Sequence, residues 1–466
     1  MSGGKQMFKW TMLFTFLFCT QAITQDIGFE KIGQVRPRHA RDIRSSNWSI
    51  GAETMDRDFT VYQNWKEYLG PLGIPKARIQ AGWAKTEKEQ GTYNWAWLDE
   101  IVFDMAEQGV EPWMCLSYGN EIYSEGGGVH LGALIPESEE ALIAWERWVK
   151  AMVARYGHII EEWEVWNEPN NKNSAEVYST LLMRTAKAVR SIQPNGKILA
   201  MALVGFKRDW AGKVLEPFVK QDQLHLIDVV TFHSYPKNPD GRADLVFGLR
   251  EFIHSYSPRI KVRMGEAGCP SAYRETRSLN SLPWTETTQT KWALRNLLVY
   301  LGRDIPASYF SIIDMKYPDE MNIKGLIKAN DDKTVDYLKP SYYAIQAMAS
   351  IFDDRLERIS NYSYKEDVNR SLAFFGYKNK SSDRQVLTLW FDDDIPKDNN
   401  QKTLMNFTCY EGNFEDPVYI DLRETKVYEI PDDKWSVHGS VYEFKDIPVY
   451  DSPVIVADKS LIMIKQ

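Results

Sequence analysis

The feature that most constrains the fold of this 466-residue chain is a rhythm. From about residue 48, short β-prone runs are each followed by a segment of helical period. The runs at 49–54, 76–81, 111–117, 162–166, 197–204, 229–235, 261–265 and 307–314 make eight candidate strands. Between them, residues 137–156 bring Leu142, Trp145, Trp148, Val149 and Met152 onto one helical face. Pro136 and the acidic first turn of Glu137, Glu139 and Glu140 mark that helix's start. A second clear helix, 287–301, ends at Gly302. Eight parallel strands with crossover helices predict an α/β protein, a closed (β/α)8 TIM barrel over 48–350. The alternative is an open doubly wound sheet, but no Gly-x-Gly-x-x-Gly follows the first strand.

After residue 350 the rhythm changes. Runs at 371–377, 385–391, 403–410, 418–422, 426–430, 440–444 and 453–456 are separated by Asp, Asn, Gly and Pro clusters such as 392–400. They predict an appended C-terminal all-β sandwich over 351–466. Residues 23–47 form an N-terminal lead-in, or else an extra strand on the sandwich.

Residues 1–22 have the pattern of a signal peptide: Lys5 and Lys9, an apolar stretch over 10–18, and a small residue at Ala22. The stretch is too short to span a bilayer, so the expected location is exported, secreted or periplasmic, with no stable membrane span. Bulky Phe18 argues against a lipoprotein anchor at Cys19. Only Cys115, Cys269 and Cys409 then remain, too few for a disulfide framework. Cys115 and Cys269 are expected to be small buried hydrophobes. Seven scattered histidines, with no His-x-x-x-His and no Cys-x-x-Cys, predict neither a metal nor any other cofactor. The net charge of −8 is dispersed without a basic cluster, which argues against a nucleic-acid partner. Among 16 Trp and 24 Tyr, most are expected in the core and a few at strand ends, where an aromatic face suits a sugar ring.

Two strand ends carry chemistry. Residues 161–170, EEWEVWNEPN, read as a buried strand stopping at Asn-Glu-Pro, which puts Glu168 at the end of the fourth strand. Residues 261–270, KVRMGEAGCP, put Glu266 at the end of the seventh, where Gly265, Ala267 and Gly268 are expected to leave room for a ligand. Two carboxyl groups facing each other across a bond are what glycosidic cleavage needs. Glu168 is the expected acid/base and Glu266 the expected nucleophile. Arg78 on the second strand is expected to keep Glu266 charged, and Asn167 to hydrogen-bond a sugar 2-hydroxyl. His233 and Tyr235 share a face of the sixth strand and are expected to orient the glutamates. Glu53, Trp83, Tyr118 and Asn120 are further substrate-pocket candidates, with Asp314 behind them.

These paired motifs resemble the clan of retaining (β/α)8-barrel glycoside hydrolases with acid/base and nucleophile on strands four and seven (clan GH-A). Within it the chain is most similar to glycoside hydrolase family 39, on the stretches 83–99, 116–123 and 155–170. The resemblance spans roughly residues 50–350 and implies a barrel with an appended β-sandwich and net retention. Its members include β-xylosidases, α-iduronidases and bacterial exopolysaccharide hydrolases. Two departures stand out. Cys115 occupies a position where members often carry an acid, and the eighth strand lacks a common tryptophan, for which Trp284 is the candidate substitute. The expected function is therefore a secreted, β-xylosidase-like retaining glycosidase acting on a poly- or oligosaccharide. The alternatives are an endo-acting enzyme of another family in the clan, or a non-catalytic carbohydrate-binding barrel. Sequence fixes neither the sugar nor the oligomeric state.

Overall fold

The structure is a computed structural model that describes residues 27–466. The expected signal segment at 1–22, with Cys19, lies outside the described residues. A first strand, β1 (Lys31–Val35), precedes a closed barrel. The barrel strands are β2 (Trp48–Gly51), β3 (Lys76–Gln80), β4 (Glu111–Leu116), β5 (Glu162–Val165), β6 (Lys197–Val204), β7 (Val229–His233), β8 (Lys261–Ala267) and β9 (Ala307–Tyr309). Neighbours are parallel throughout, and β9 closes on β2. Closure excludes the open doubly wound sheet.

Most barrel strands begin where the sequence predicts, but only β6 ends there, and three of the differences bear on the site. The β8 ladder runs on through Glu266 to Ala267. The expected eighth strand stops at Tyr309 because its next amides leave the ladder. Ile312 N–H donates to Gly51 O (2.8 Å) and Asp314 N–H to Ile327 O (2.9 Å). The first strand ends at Gly51, and the chain then turns through Thr54, held at φ +73°. Past β9, a hairpin of β10 (Met315–Lys316) and β11 (Met321–Asn322) folds over the barrel mouth side of the chain's path.

The helix Glu139–Tyr156 shows how sequence makes each outer element. Ser138 caps it by accepting from Ala141 N–H (3.2 Å), and Leu142, Trp145, Trp148, Val149 and Met152 are buried on its inner face. Trp145 and Trp148 pack on Trp83, and Trp145 on Trp166, in one aromatic cluster beneath β5.

The C-terminal region is two antiparallel sheets. Four strands, Tyr364–Glu366, Thr403–Cys409, Val441–Val449 and Trp435–His438, form the outer one. The inner sheet has eight strands, and β1 pairs into it between Lys426–Glu429 and Ile464–Lys465. The lead-in thus supplies a sandwich strand. Its strand Gln385–Phe391 is buried along its whole length because both faces are covered. Leu387, Leu389 and Phe391 face the outer sheet, whereas Val386 and Trp390 join the barrel's core. Polar contacts pin the two layers together. Trp390 Nε1 donates to Asp240 (3.0 Å), which also takes Arg295 Nε (2.8 Å). Lys291 Nζ donates to Lys397 O and Asp451, each at 2.7 Å.

Candidate active site

The site lies at the carboxyl ends of the barrel strands, the end where barrel enzymes place their reacting groups. Its two glutamates reach it by different routes. Glu266 belongs to the β8 ladder, its backbone O accepting from Ser234 N–H (3.1 Å). Glu168 lies just past β5 in a left-handed conformation, φ +51°, after Trp166 at φ +66°. For side chains of this size such angles cost on the order of 1–3 kcal/mol each and persist only where the surroundings hold them. Here Trp166 N–H donates to Leu116 O (3.0 Å), its ring is fully buried, and Pro169 follows. The double left-handed turn swings the Glu168 carboxylate toward its partner.

Glu168, His233 and Glu266 meet there: one ligand atom from each lies within 4.8 Å of the other two. Among the described residues this is the only such trio close enough to share a cation. Its carboxylates are already engaged by protein donors. His233 Nδ1 is 2.9 Å from Glu168 Oε1 and 3.6 Å from Glu266 Oε2. Asn171 Nδ2 donates to Glu168 Oε2 (3.0 Å). Arg78 Nη1 donates to Glu266 Oε2 (3.1 Å), and the Tyr235 hydroxyl donates to Glu266 Oε1. Burial works against charge on His233, but Glu266 and the bond to Glu168 outweigh it and raise its pKa above the ordinary 6.5.

Beneath the pair, fully buried Arg78 is a hub. It donates to Glu164 (2.7 Å), Glu53 (3.0 Å), Asn167 Oδ1 (2.9 Å) and the Cys115 sulfur (3.5 Å) as well as to Glu266. Thr231 donates to the other oxygen of Glu164 (2.5 Å). Burial pushes Glu53 up to about 7 against the pull of Arg78, with Glu266 adding to the rise. Asn167 passes one Nδ2 proton to the Tyr118 hydroxyl (3.0 Å), leaving the other available.

Several sequence expectations are corrected by this geometry. Glu53, read as a pocket residue, is sealed under the glutamates, where it accepts from Arg78, the residue that in turn donates to Glu266. Tyr118 is 2 % exposed and braces Asn167. Trp83 is fully buried, its Nε1 donating to Glu87 (2.6 Å), so it is core and not a sugar platform. Asn120 is also buried, donating to Glu87 O (2.7 Å) and accepting from Ile122 N–H, which shapes a loop. Asp314 is spent on buried Lys339 Nζ (2.8 Å). Trp284 donates to Leu279 O and is buried, 4% exposed. The room at Gly265 and Gly268 is taken by protein. A Cβ on Gly265 would sit 3.4 Å from the His233 ring, and one on Gly268 would meet Phe310 O at 1.9 Å.

Sequence reasoning missed Glu164, although an acid between Trp163 and Val165 in a buried strand, four residues before Glu168, was the available signal. It also missed Lys324 and Arg274, whose burial nothing local announces.

The comparisons with known proteins agree with this barrel. The model of the family "Glycosyl hydrolases family 39" matches residues 71–252, which span β3 to β7 and include Glu168. No curated protein sequence matches the chain significantly. Among solved structures, a family 39 glycoside hydrolase from the gut symbiont Bacteroides cellulosilyticus WH2 superposes with a TM-score of 0.64 at 18% identity, covering 91% of this chain and 83% of that one. A monomeric beta-xylosidase from Caulobacter crescentus CB15 gives 0.60 at 17% identity, covering 92% and 98%. The GH39 enzyme from Xanthomonas axonopodis pv. citri gives 0.58 at 15% identity, covering 91% and 95%. At these identities the superpositions speak for the fold, a barrel with its β-sandwich. On the family match and the barrel together, the chain is a glycoside hydrolase, an enzyme that hydrolyses O-glycosyl bonds, most similar to family 39 of clan GH-A.

Proposed function

We propose that the chain is a retaining, β-xylosidase-like glycosidase that acts on a poly- or oligosaccharide by double displacement through Glu266 and Glu168. The observation that carries this reading is the trio distance. Retaining enzymes hold their carboxyl groups about 5–5.5 Å apart, whereas inverting ones need roughly 6.5–9.5 Å to admit a water. Here the meeting atoms of Glu168 and Glu266 lie within 4.8 Å.

The environments divide the roles. Glu266 takes hydrogen bonds from Arg78 and Tyr235, which aim it as the nucleophile. Among the described residues, Glu168 has no guanidinium or ammonium on it, only His233 and Asn171. It therefore suits the group that gives its proton to the leaving oxygen and then takes one from water. Asn167, anchored by Arg78 and Tyr118, offers its spare N–H to a sugar 2-hydroxyl, a contact that strengthens in the transition state. Export through residues 1–22 belongs to the same proposal.

The test is azide rescue. Glu266→Ala is expected to abolish turnover of an aryl glycoside, and azide to restore it as a glycosyl azide of inverted configuration. Glu168→Ala is expected to spare the first step for substrates with very good leaving groups, and azide to give the retained product. Wild-type activity in either variant would overturn that residue's role.

A further inference from the structure

Tyr235 stands two residues past the end of β7, beyond the reach of the barrel ladder. The place of its ring depends on the loop that follows, Tyr-Pro-Lys-Asn-Pro-Asp over residues 235–240. That loop is stiff. Pro236 and Pro239 each fix their own φ, and each restricts the residue before it, Tyr235 and Asn238, to extended backbone. Among residues 235–239, Lys237 alone escapes both restraints. A displacement at Asn238 or Asp240 is therefore passed along to Tyr235 and not absorbed on the way.

The far end of the loop is held from two domains. The barrel supplies Trp292, whose Nε1 donates to Pro236 O (3.0 Å). The sandwich supplies its strand Gln385–Phe391 and the residues just after it. Trp390 Nε1 donates to Asp240 Oδ1 (3.0 Å), and Asn238 Nδ2 donates to Asp392 O (2.8 Å). Arg295, on the helix Glu286–Leu301, binds both sides together. Its Nε donates to Asp240 Oδ2 (2.8 Å), and its Nη2 to Asn238 Oδ1 (2.9 Å) and to Asp394 O (3.0 Å). Trp390 and Arg295 are fully buried and Asp240 is 8% exposed, so water does not replace a bond lost here. At the near end of the same loop, the Tyr235 hydroxyl is on Glu266.

We infer that the sandwich positions the nucleophile: Trp390 and Asp392, through Asp240 and Asn238, hold the 235–240 loop where the Tyr235 hydroxyl reaches Glu266. Trp390 is thus a positioning residue that acts through Asp240 and not on the substrate. The inference rests on the glycosidase reading of that site and gives the second domain a part in its reaction. Joining the domains does not by itself call for these bonds. Val386 and Trp390 already bury against the barrel's core, and Lys291 pairs with Lys397 O and Asp451 elsewhere on the same interface. The bonds of Trp390 and Asn238 differ in closing on the loop that carries the Tyr235 donor.

The experiment compares Trp390→Phe, Tyr235→Phe and the double variant of the full-length chain on an aryl glycoside that the wild type cleaves, well below the Tm of each. Trp390→Phe keeps a buried aromatic ring and removes the Nε1 donor. In the wild-type background its kcat is expected to fall about fivefold or more, with KM within about twofold. In the Tyr235→Phe background, where no hydroxyl is left to position, the same change is expected to cost less than about twofold. Loss by the same factor in both backgrounds, or no loss in the first, would overturn the inference. Asn238→Ala removes the bond to Asp392 O from a half-buried position and serves in the same two comparisons should Trp390→Phe not fold. Crystal structures of the wild type and the folded variant give a reading that needs no turnover. The Tyr235 hydroxyl is expected to lie beyond about 3.5 Å of both Glu266 oxygens in the variant, and a hydroxyl that stays in place would overturn the inference. Should the wild type cleave no glycoside, the glycosidase reading fails, and these structures still decide whether the sandwich holds Tyr235 on Glu266. The azide products of the two glutamate variants report separately on the retaining mechanism.

Discussion

Lys324 makes a measurement of its own possible, because burial of its charged form costs the folded state free energy. Burial first, then Arg274, lowers its pKa from the ordinary 10.5 to about 8, and at roughly 1.36 kcal/mol for each pH unit the cost is about 3 kcal/mol. The sign follows from proton counting. Below pH 8 both folded and unfolded chains hold the proton, so the folded state bears the whole cost. Between about pH 8 and 10.5 the folded state releases the proton first, and the cost shrinks as pH rises. Above 10.5 neither state is charged there. Lys324→Met keeps the length and apolar stem of the side chain and removes the ammonium. It is therefore expected to stabilise the ligand-free protein by about 3 kcal/mol at pH 7, and by much less at pH 10. Urea denaturation followed by tryptophan fluorescence, for wild type and variant at both pH values, reads the difference. A variant no more stable than wild type at pH 7, or a gain that does not shrink at pH 10, would refute the reasoning.

Two further outcomes follow from the site. Tyr235→Phe removes the hydroxyl donor on Glu266, a charge-assisted bond worth about 1.5–3 kcal/mol, so kcat on an aryl glycoside should fall by about 10- to 150-fold with little change in the denaturation midpoint. Glu53, held near 7 by burial against an ordinary 4.5, favours folding below pH 4.5 and loses that contribution as pH rises through 7. Glu53→Gln should therefore gain stability over wild type at pH 8 but not at pH 4.5, read as a difference in Tm between the two conditions.

What the sequence made legible, and what it hid, divides along a physical line. Barrel strands are short apolar runs followed by periodic helices, so position along the chain reports their order and rank. A carboxylate at the end of such a run is unusual enough to notice, and Glu168 and Glu266 were noticed for that reason. Side-chain direction is another matter. Trp83 and Asn120 follow strand ends as their neighbours do, yet one turns into the aromatic layer and the other onto Glu87. Nothing in their spacing distinguishes them from residues that face the cavity. Lys324 reads as an ordinary surface lysine in a loop, since the residues that enclose it, Tyr235 and Gln289 among them, come from distant parts of the chain. The short strands Leu356–Ile359, Tyr364–Glu366 and Trp435–His438 escaped notice because their pairing partners, and not their own few residues, define them.

The pairing of β1 with strands near the chain's far end has a consequence for how the protein is made. Gln34 lies beside Lys426 on one side and Lys465 on the other, contacts closed across nearly the full length of the polypeptide. The inner sheet cannot complete its edge until Lys426–Glu429 and Ile464–Lys465 have been synthesised, while the barrel between can assemble earlier. During that interval β1 and the barrel face destined for Val386 and Trp390 stand open. Folding therefore includes a slow, long-range closure, and β1 is exposed to wrong pairing until its partners arrive.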